Sequence, residues 1–387
     1  MAECGARQLL ERLVGFDTTS ARSNLALIDF VQGYLEDQRV PSSRVYDDTG
    51  AKANLLATIG PADRPALVLS GHTDVVPVDG QAWASDPFTC VERDGRLFGR
   101  GTADMKGFLA AVLSRVPAWR AARLEAPVVL AFSYDEEVGC KGVARLIDRL
   151  LDELPAAPLG AVIGEPTMLR PVDGHKGKGG YRVLVQGRAG HSALPRDAVN
   201  AIEVAAEIIV LLRRINARLR RDGPFADGFD PPHSTLSVGT IAGGTVMNIV
   251  AGQCSFVFEC RTLPRVAPDD LLHEVRTFVE RELLPEMRDV APESEIVIEE
   301  LLSYPGLGPE DAAPIEPLVR EITGAERSGK AAFGTEAGHY AARGIPAMVC
   351  GPGDIAVAHR PDEHLALDQL SRCTTFLDRL VERVARA

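Results

Sequence analysis

The run Ala66–Ser70 constrains this chain more than any other stretch of its sequence. It is apolar without alternation and is bounded by Pro65 and Gly71. A strand with one wet face shows a period of two, so an unbroken apolar run of this length reads as a strand buried on both faces. Pro127–Phe132 repeats the pattern, and further short strands are expected at Ser43–Tyr46, Ala53–Ile59, Ala161–Gly164 and Ala347–Cys350. Between them lie helical stretches at Ala6–Gly15, Ser23–Asp37, Asp104–Arg123, Lys141–Leu151, Asp311–Thr323 and Glu336–Arg343, with an amphipathic helix from Leu367 to the end. Buried strands alternating with helices predict an α/β sandwich.

The rhythm changes near Gly174-His175-Lys176-Gly177. Strand signals at Tyr181–Gln186, Ser234–Ile241, Cys254–Arg261 and Glu295–Leu301 now bracket helical ones at 198–221 and 268–284, giving the order βαββαβ. That order predicts a ferredoxin-like α+β domain. The α/β pattern returns after Pro305, so the second domain is expected as an insertion. Residues 1–177 and 303–387 would form one domain and 178–302 the other.

A chain of 387 residues is long enough for two such domains. A formal net charge of -12 argues against nucleic acid or an anionic membrane surface as partner. No apolar run approaches the ~18 residues of a membrane span. Met1–Cys4 has neither a basic start nor an apolar core, so no signal peptide is expected there. The seven cysteines are scattered and contain no Cys-x-x-Cys pair, the usage of reduced, cytoplasmic thiols.

Ligand sites in α/β sheets form at the carboxyl ends of the strands. His72, Asp74, Asp135-Glu136-Glu137 and Glu165 all follow strand signals directly, Asp104 opens a helix, and His359 lies on a loop after the last strand. One histidine at a strand end is ordinarily a packed residue, and one Glu-Glu pair is ordinarily a solvated face. The ordered set His, Asp, Asp, Glu-Glu, Glu, His is another matter. Two metals about 3.5 Å apart need a bridging carboxylate, terminal ligands for each and a base for the shared water. Imidazole nitrogen and carboxylate oxygen suit zinc or cobalt. His72 and Asp74 are two apart, so on extended chain they point the same way, and Asp74 could hydrogen-bond the ring nitrogen that His72 does not give to a metal. Glu136 and Glu137 need not share a role: one can ligate while the other faces the water.

His72-Thr73-Asp74, Gly101-Thr102-Ala103-Asp104-Met105-Lys106-Gly107, Asp135-Glu136-Glu137, Gly164-Glu165-Pro166-Thr167 and the late His359 resemble the M20 family of dinuclear metallohydrolases. The likeness runs nearly the full chain. Ser23-Asn24-Leu25, Gly174–Gly177, Phe229–Leu236, Gly334–Gly338 and Ala358–Glu363 resemble the branch of that family that deacetylates N2-acetyl-L-ornithine. The resemblance implies a cytoplasmic homodimer joined through the inserted domain, a small N-acyl amino acid as substrate, and two zinc or cobalt ions per subunit. It implies Asp104 as the bridge, His72 and Glu165 on one metal, Glu137 and His359 on the other, Glu136 as general base and Asp74 as the clamp on His72. The Asp104–Met105 peptide would be cis. In the inserted domain it implies His191 as an oxyanion donor acting in the partner's site, with Asn248 and Arg261 binding substrate, the guanidinium on an α-carboxylate. A succinylated or citrulline-derived substrate, or a peptide, would suit the same ligand set.

Overall fold

The structure, a computed structural model, describes residues 5–385, so the reading of Met1–Cys4 lies outside the described residues. The chain divides into two compact units. One takes the described residues up to Gly174 with Leu307–Ala331 and those from Thr335 onward, and the other His175–Gly306 with Ala332–Gly334. Among the described residues no helix is long and apolar enough to cross a membrane.

An eight-stranded sheet organises the first unit. Its order is Ser42–Tyr46, Ala53–Ile59, Val128–Ser133, Leu67–His72, Gly160–Pro166, Ala347–Gly351, Val172–His175, Gly329–Ala331. Leu67–His72 pairs in parallel with Val128–Ser133 and Gly160–Pro166, and Ala347–Gly351 pairs in parallel with Gly160–Pro166. Every residue of these four strands is buried, which is why their sequences do not alternate. Helix Lys106–Ala121 is apolar nearly all round because it is enclosed, lying against the Leu67–His72 strand, Ala6–Val14 and Leu367–Ala385.

The second unit carries a four-stranded antiparallel sheet ordered Thr235–Gly243, Gln253–Thr262, Gly177–Gln186, Glu295–Tyr304. Gln253–Thr262 alternates buried and less buried residues along its length, the signature of a sheet covered on one face. Helices Ala201–Asp222 and Pro268–Phe278 cover that face, with Ile208, Leu212 and Ile215 packed among Tyr181, Val183, Phe256 and Phe258.

Several expectations need correction. The helix expected over Asp311–Thr323 is two, Pro309–Ala312 and Glu316–Thr323, because Pro314 and Pro317 have no N–H for an i→i−4 bond. The helix expected to start at Asp104 starts at Lys106, and the Leu67–His72 strand runs two residues past Ser70. Pro268 opens a helix that ends at Phe278 and continues through a π turn, Val279–Leu283, into Leu284–Val290, which holds Pro285. A small sheet of Val91–Arg93, Arg96–Phe98 and His364–Ala366 left no sequence signal, its strands being three residues each.

Candidate metal centre

Asp104 stands at the centre of the first unit's polar cluster, and its two oxygens face two imidazoles. Oδ1 lies 3.1 Å from His72 Nε2 and Oδ2 lies 3.0 Å from His359 Nε2. Glu137 brings its two carboxylate oxygens to 3.1 and 3.0 Å from the same His359 nitrogen. On the other side Glu165 Oε1 lies 4.0 Å from His72 Nε2. Two groups, His72 with Glu136 and Glu165, and His72 with Asp104 and Glu137, each offer ligand atoms within 4.8 Å of one another.

Three parallel strands deliver much of this set. His72 ends its strand, Glu165 is the penultimate residue of Gly160–Pro166, and Glu136-Glu137 follow Val128–Ser133 by three residues. The turn carrying the Glu pair is held between Asp135 and Cys140, both in the left-handed region at φ 56° and 54°, with Cys140 N–H donating to Glu136 C=O at 2.8 Å. Lys52 pairs with Asp135 at 2.5 Å and donates to Ser20 C=O as well. The Asp104–Met105 peptide is cis.

Asp74 behaves differently from the sequence expectation. His72 Nδ1 lies 2.9 Å from the backbone carbonyl of Asp74, and the Asp74 carboxylate is 3.7 Å away. A carbonyl only accepts, so Nδ1 carries a proton, and Nε2 is the ring nitrogen turned to Asp104. The carboxylate accepts from the backbone N–H groups of Glu136 (3.1 Å) and Glu137 (3.3 Å) and from Ser20 Oγ (2.7 Å). It fastens the Glu pair, while its main chain orients the histidine.

The charge distribution is that of a cation site. Burial pushes Glu136, Glu137 and Glu165 upward, and repulsion among the carboxylates adds to it, with Glu137 reaching about 7. Burial opposes ionisation of Asp104 too, but hydrogen bonds from His359 and His72 hold it below the usual carboxylate range. Hydrogen bonds to Asp104 and Glu137 lift the His359 imidazole to about 10. Four carboxylates converging on two imidazoles make a place that favours positive charge. Nitrogen and oxygen donors on both sides of one two-oxygen bridge fit a pair of divalent ions.

His191, Asn248 and Arg261 belong to the second unit. His191 is exposed, pairs with Ile249 across a two-residue ladder, and accepts at Nδ1 from Ala193 N–H (3.0 Å). Asn248 is exposed, and its carbonyl accepts from Ser192 N–H. Arg261 is two-thirds buried, with Nε 3.3 Å from Glu259 Oε1. Sequence reasoning missed Glu336, which is buried in the first unit and accepts from Ser133 Oγ (2.5 Å) and Ser70 Oγ (3.3 Å). Those serines lie on the strands that lead to the Glu pair and to His72. It also assigned nothing to Arg100, Gln81 or Glu363. A buried ion pair far apart in sequence leaves no periodic trace.

Residues 68–383 match the profile of peptidase family M20/M25/M40. The chain is 37% identical over 380 residues to an acetylornithine deacetylase from Myxococcus xanthus, covering 97% of this chain and 96% of that one. Its fold is like that of an M20 metallo-carboxypeptidase from Sulfolobus solfataricus, with a TM-score of 0.73 at 16% identity, covering 97% and 98% of the two chains. It is also like that of a dinuclear metal-binding M20 peptidase from Bacillus subtilis, with a TM-score of 0.63 at 14% identity and 98% coverage of both.

Proposed function

Because this chain belongs to peptidase family M20/M25/M40 and is an amide-bond hydrolase, we propose that it deacetylates N2-acetyl-L-ornithine to L-ornithine and acetate, a step of arginine biosynthesis. The carrying observation is Asp104, whose two oxygens each meet a different histidine with a glutamate beside each. The near-full-length likeness to a curated acetylornithine deacetylase directs the substrate reading.

His72 and Glu165 would hold one ion, Glu137 and His359 the other, and Asp104 both, with zinc or cobalt as the metal. Bound there, the ions supply Lewis acidity toward the acyl carbonyl and the attacking water. Glu136 is the base that takes a proton from that water. The new C–O bond forms first, giving a tetrahedral oxyanion on the acyl carbon, and the C–N bond breaks as Glu136 returns the proton to the leaving amine. Asp74 fixes Glu136 by its backbone N–H, so the base is positioned through the main chain. His191, Asn248 and Arg261 are the proposed substrate-binding residues. Two features support a cytoplasmic homodimer built on the second unit: its exposed apolar side chains, and six free cysteines among the described residues.

The test compares amine release by metal-loaded protein from N2-acetyl-L-ornithine, N-succinyl-diaminopimelate and a dipeptide. Acetylornithine should be preferred by tens of fold in kcat/KM, a difference a pocket supplies with about 2 kcal/mol. Preference for another of the three would keep the hydrolase and replace the substrate. Glu136→Gln should lower kcat by about 10²–10⁴-fold with metal content retained. Near-normal turnover in that variant would remove Glu136 as the base.

A further inference from the structure

Resting on the metal reading above, we propose that Glu363, Arg100 and Gln81 form a positioning strap that ties the main chain of Asp104 to that of His359. Metal affinity would then be set partly by residues that touch no ion.

Glu363 is fully buried. Its Oε1 accepts from the N–H groups of Ala103 (2.9 Å) and Asp104 (3.1 Å), and its own carbonyl accepts from Gly99 N–H (2.9 Å). Oε2 pairs at 2.7 Å with Nη1 of Arg100, which is itself 1% exposed. Arg100 Nη2 donates to Gln81 Oε1 at 2.6 Å, and its guanidinium lies 4.9 Å from the centre of the Trp83 ring. Gln81 Nε2 then donates to the carbonyl of His359 at 3.0 Å. The series from Asp104 N–H through Glu363, Arg100 and Gln81 to His359 C=O is unbroken.

Two points argue for positioning rather than bulk stability. A buried ion pair gains little over apolar packing, because desolvating both charges offsets their attraction. Here the pair sits where fixed geometry has most value, under the carboxylate whose oxygens face both imidazoles. His359 also holds φ at 63°, an unfavourable region for a residue with a Cβ, so its loop needs external contacts to stay there. Gln81 provides one, and Asp362, at φ 56°, provides another by accepting from Ala84 N–H at 3.0 Å.

Partners that orient metal ligands typically contribute 10- to 100-fold in metal affinity. The test is a titration of metal-free protein with Co²⁺ against a competing chelator, read by cobalt absorption, with thermal unfolding of the metal-free form alongside. Wild type should take two ions per chain. Gln81→Ala removes the donor to the His359 carbonyl and leaves only the longer bond from Arg100 Nη1 to the Arg360 carbonyl (3.4 Å), whereas Gln81→Glu can still accept from Arg100 but cannot donate to His359. Both should keep the melting temperature of the metal-free protein while losing about 10- to 100-fold in affinity for one ion only. Glu363→Gln, which leaves an acceptor for the two N–H groups but no ion pair, should weaken both ions, since Asp104 serves both. Two ions in wild type with unchanged affinities in all three variants would overturn the strap alone. Absence of any bound ion in wild type would overturn the metal reading, and the strap with it.

Discussion

Asp74 carries more of the candidate centre than its place beside His72 suggests. Its carboxylate holds the two N–H groups that begin the Glu136-Glu137 turn, and its carbonyl accepts from His72 Nδ1, so one residue aligns parts of both sides. His175, in the second unit, is a different kind of buried group. Burial pushes its imidazole down to about 4 against a small opposing effect of its bond to the Lys176 carbonyl. A histidine kept neutral in the fold but free to protonate when unfolded makes stability depend on pH. The unfolded chain binds the extra proton between about pH 6.5 and 4, so stability is full above that window and falls as pH drops through it. The loss approaches roughly 3 kcal/mol, at about 1.4 kcal/mol per unit. Urea midpoints at pH 7 and pH 4.5 should therefore differ more in wild type than in His175→Gln. Equal differences would remove His175 as a source of acid sensitivity.

At the scale of elements, the parallel strands and helix Lys106–Ala121 meet with no room to spare. Gly164 lies directly against the helix: a Cβ there would lie 2.0 Å from the Phe108 ring. Neither the ring, which is fully buried, nor the strand, which is paired on both sides, can withdraw cheaply. Gly164→Ala should cost about 3 kcal/mol through overpacking and lower the melting temperature by several degrees. Adding Phe108→Leu should recover part of the loss, and a double variant no better than the single would show that the clash is elsewhere. Because Gly164 immediately precedes Glu165, the same variant should also weaken metal binding.

On the scale of the whole molecule, the second unit leaves a large apolar surface in water. Met247 is fully exposed, and Leu194, Ile241, Val246 and Ile249 are each about half exposed or more. Large apolar side chains exposed together in one region mark an interaction surface, and the ladder joining His191 to Ile249 sets the Leu194 segment beside the Val246–Ile249 one. If the proposed homodimer is built on this surface, Met247→Asp and Ile241→Asp should shift it toward monomer in sedimentation velocity while leaving the fold intact by circular dichroism. Dimers unchanged in both variants would place the interface elsewhere.

Apolar runs without alternation announced the central strands of the sheet, since burial on both faces is a local property written residue by residue. The same local logic put His72, Glu136, Glu137 and Glu165 at strand ends, and the βαββαβ order of the second unit was legible from its changes of period. What periodicity could not carry was pairing at a distance. That Asp104 turns one oxygen to His72 and the other to His359, that Asp74 serves the Glu pair with its carboxylate and His72 with its carbonyl, and that Glu363 lies buried against Arg100 all depend on loops from distant parts of the chain converging. A sequence lists donors and acceptors along one dimension. Which of them meet is decided in three, by the packing that brings the loops together and by the cost of leaving a buried charge without a partner.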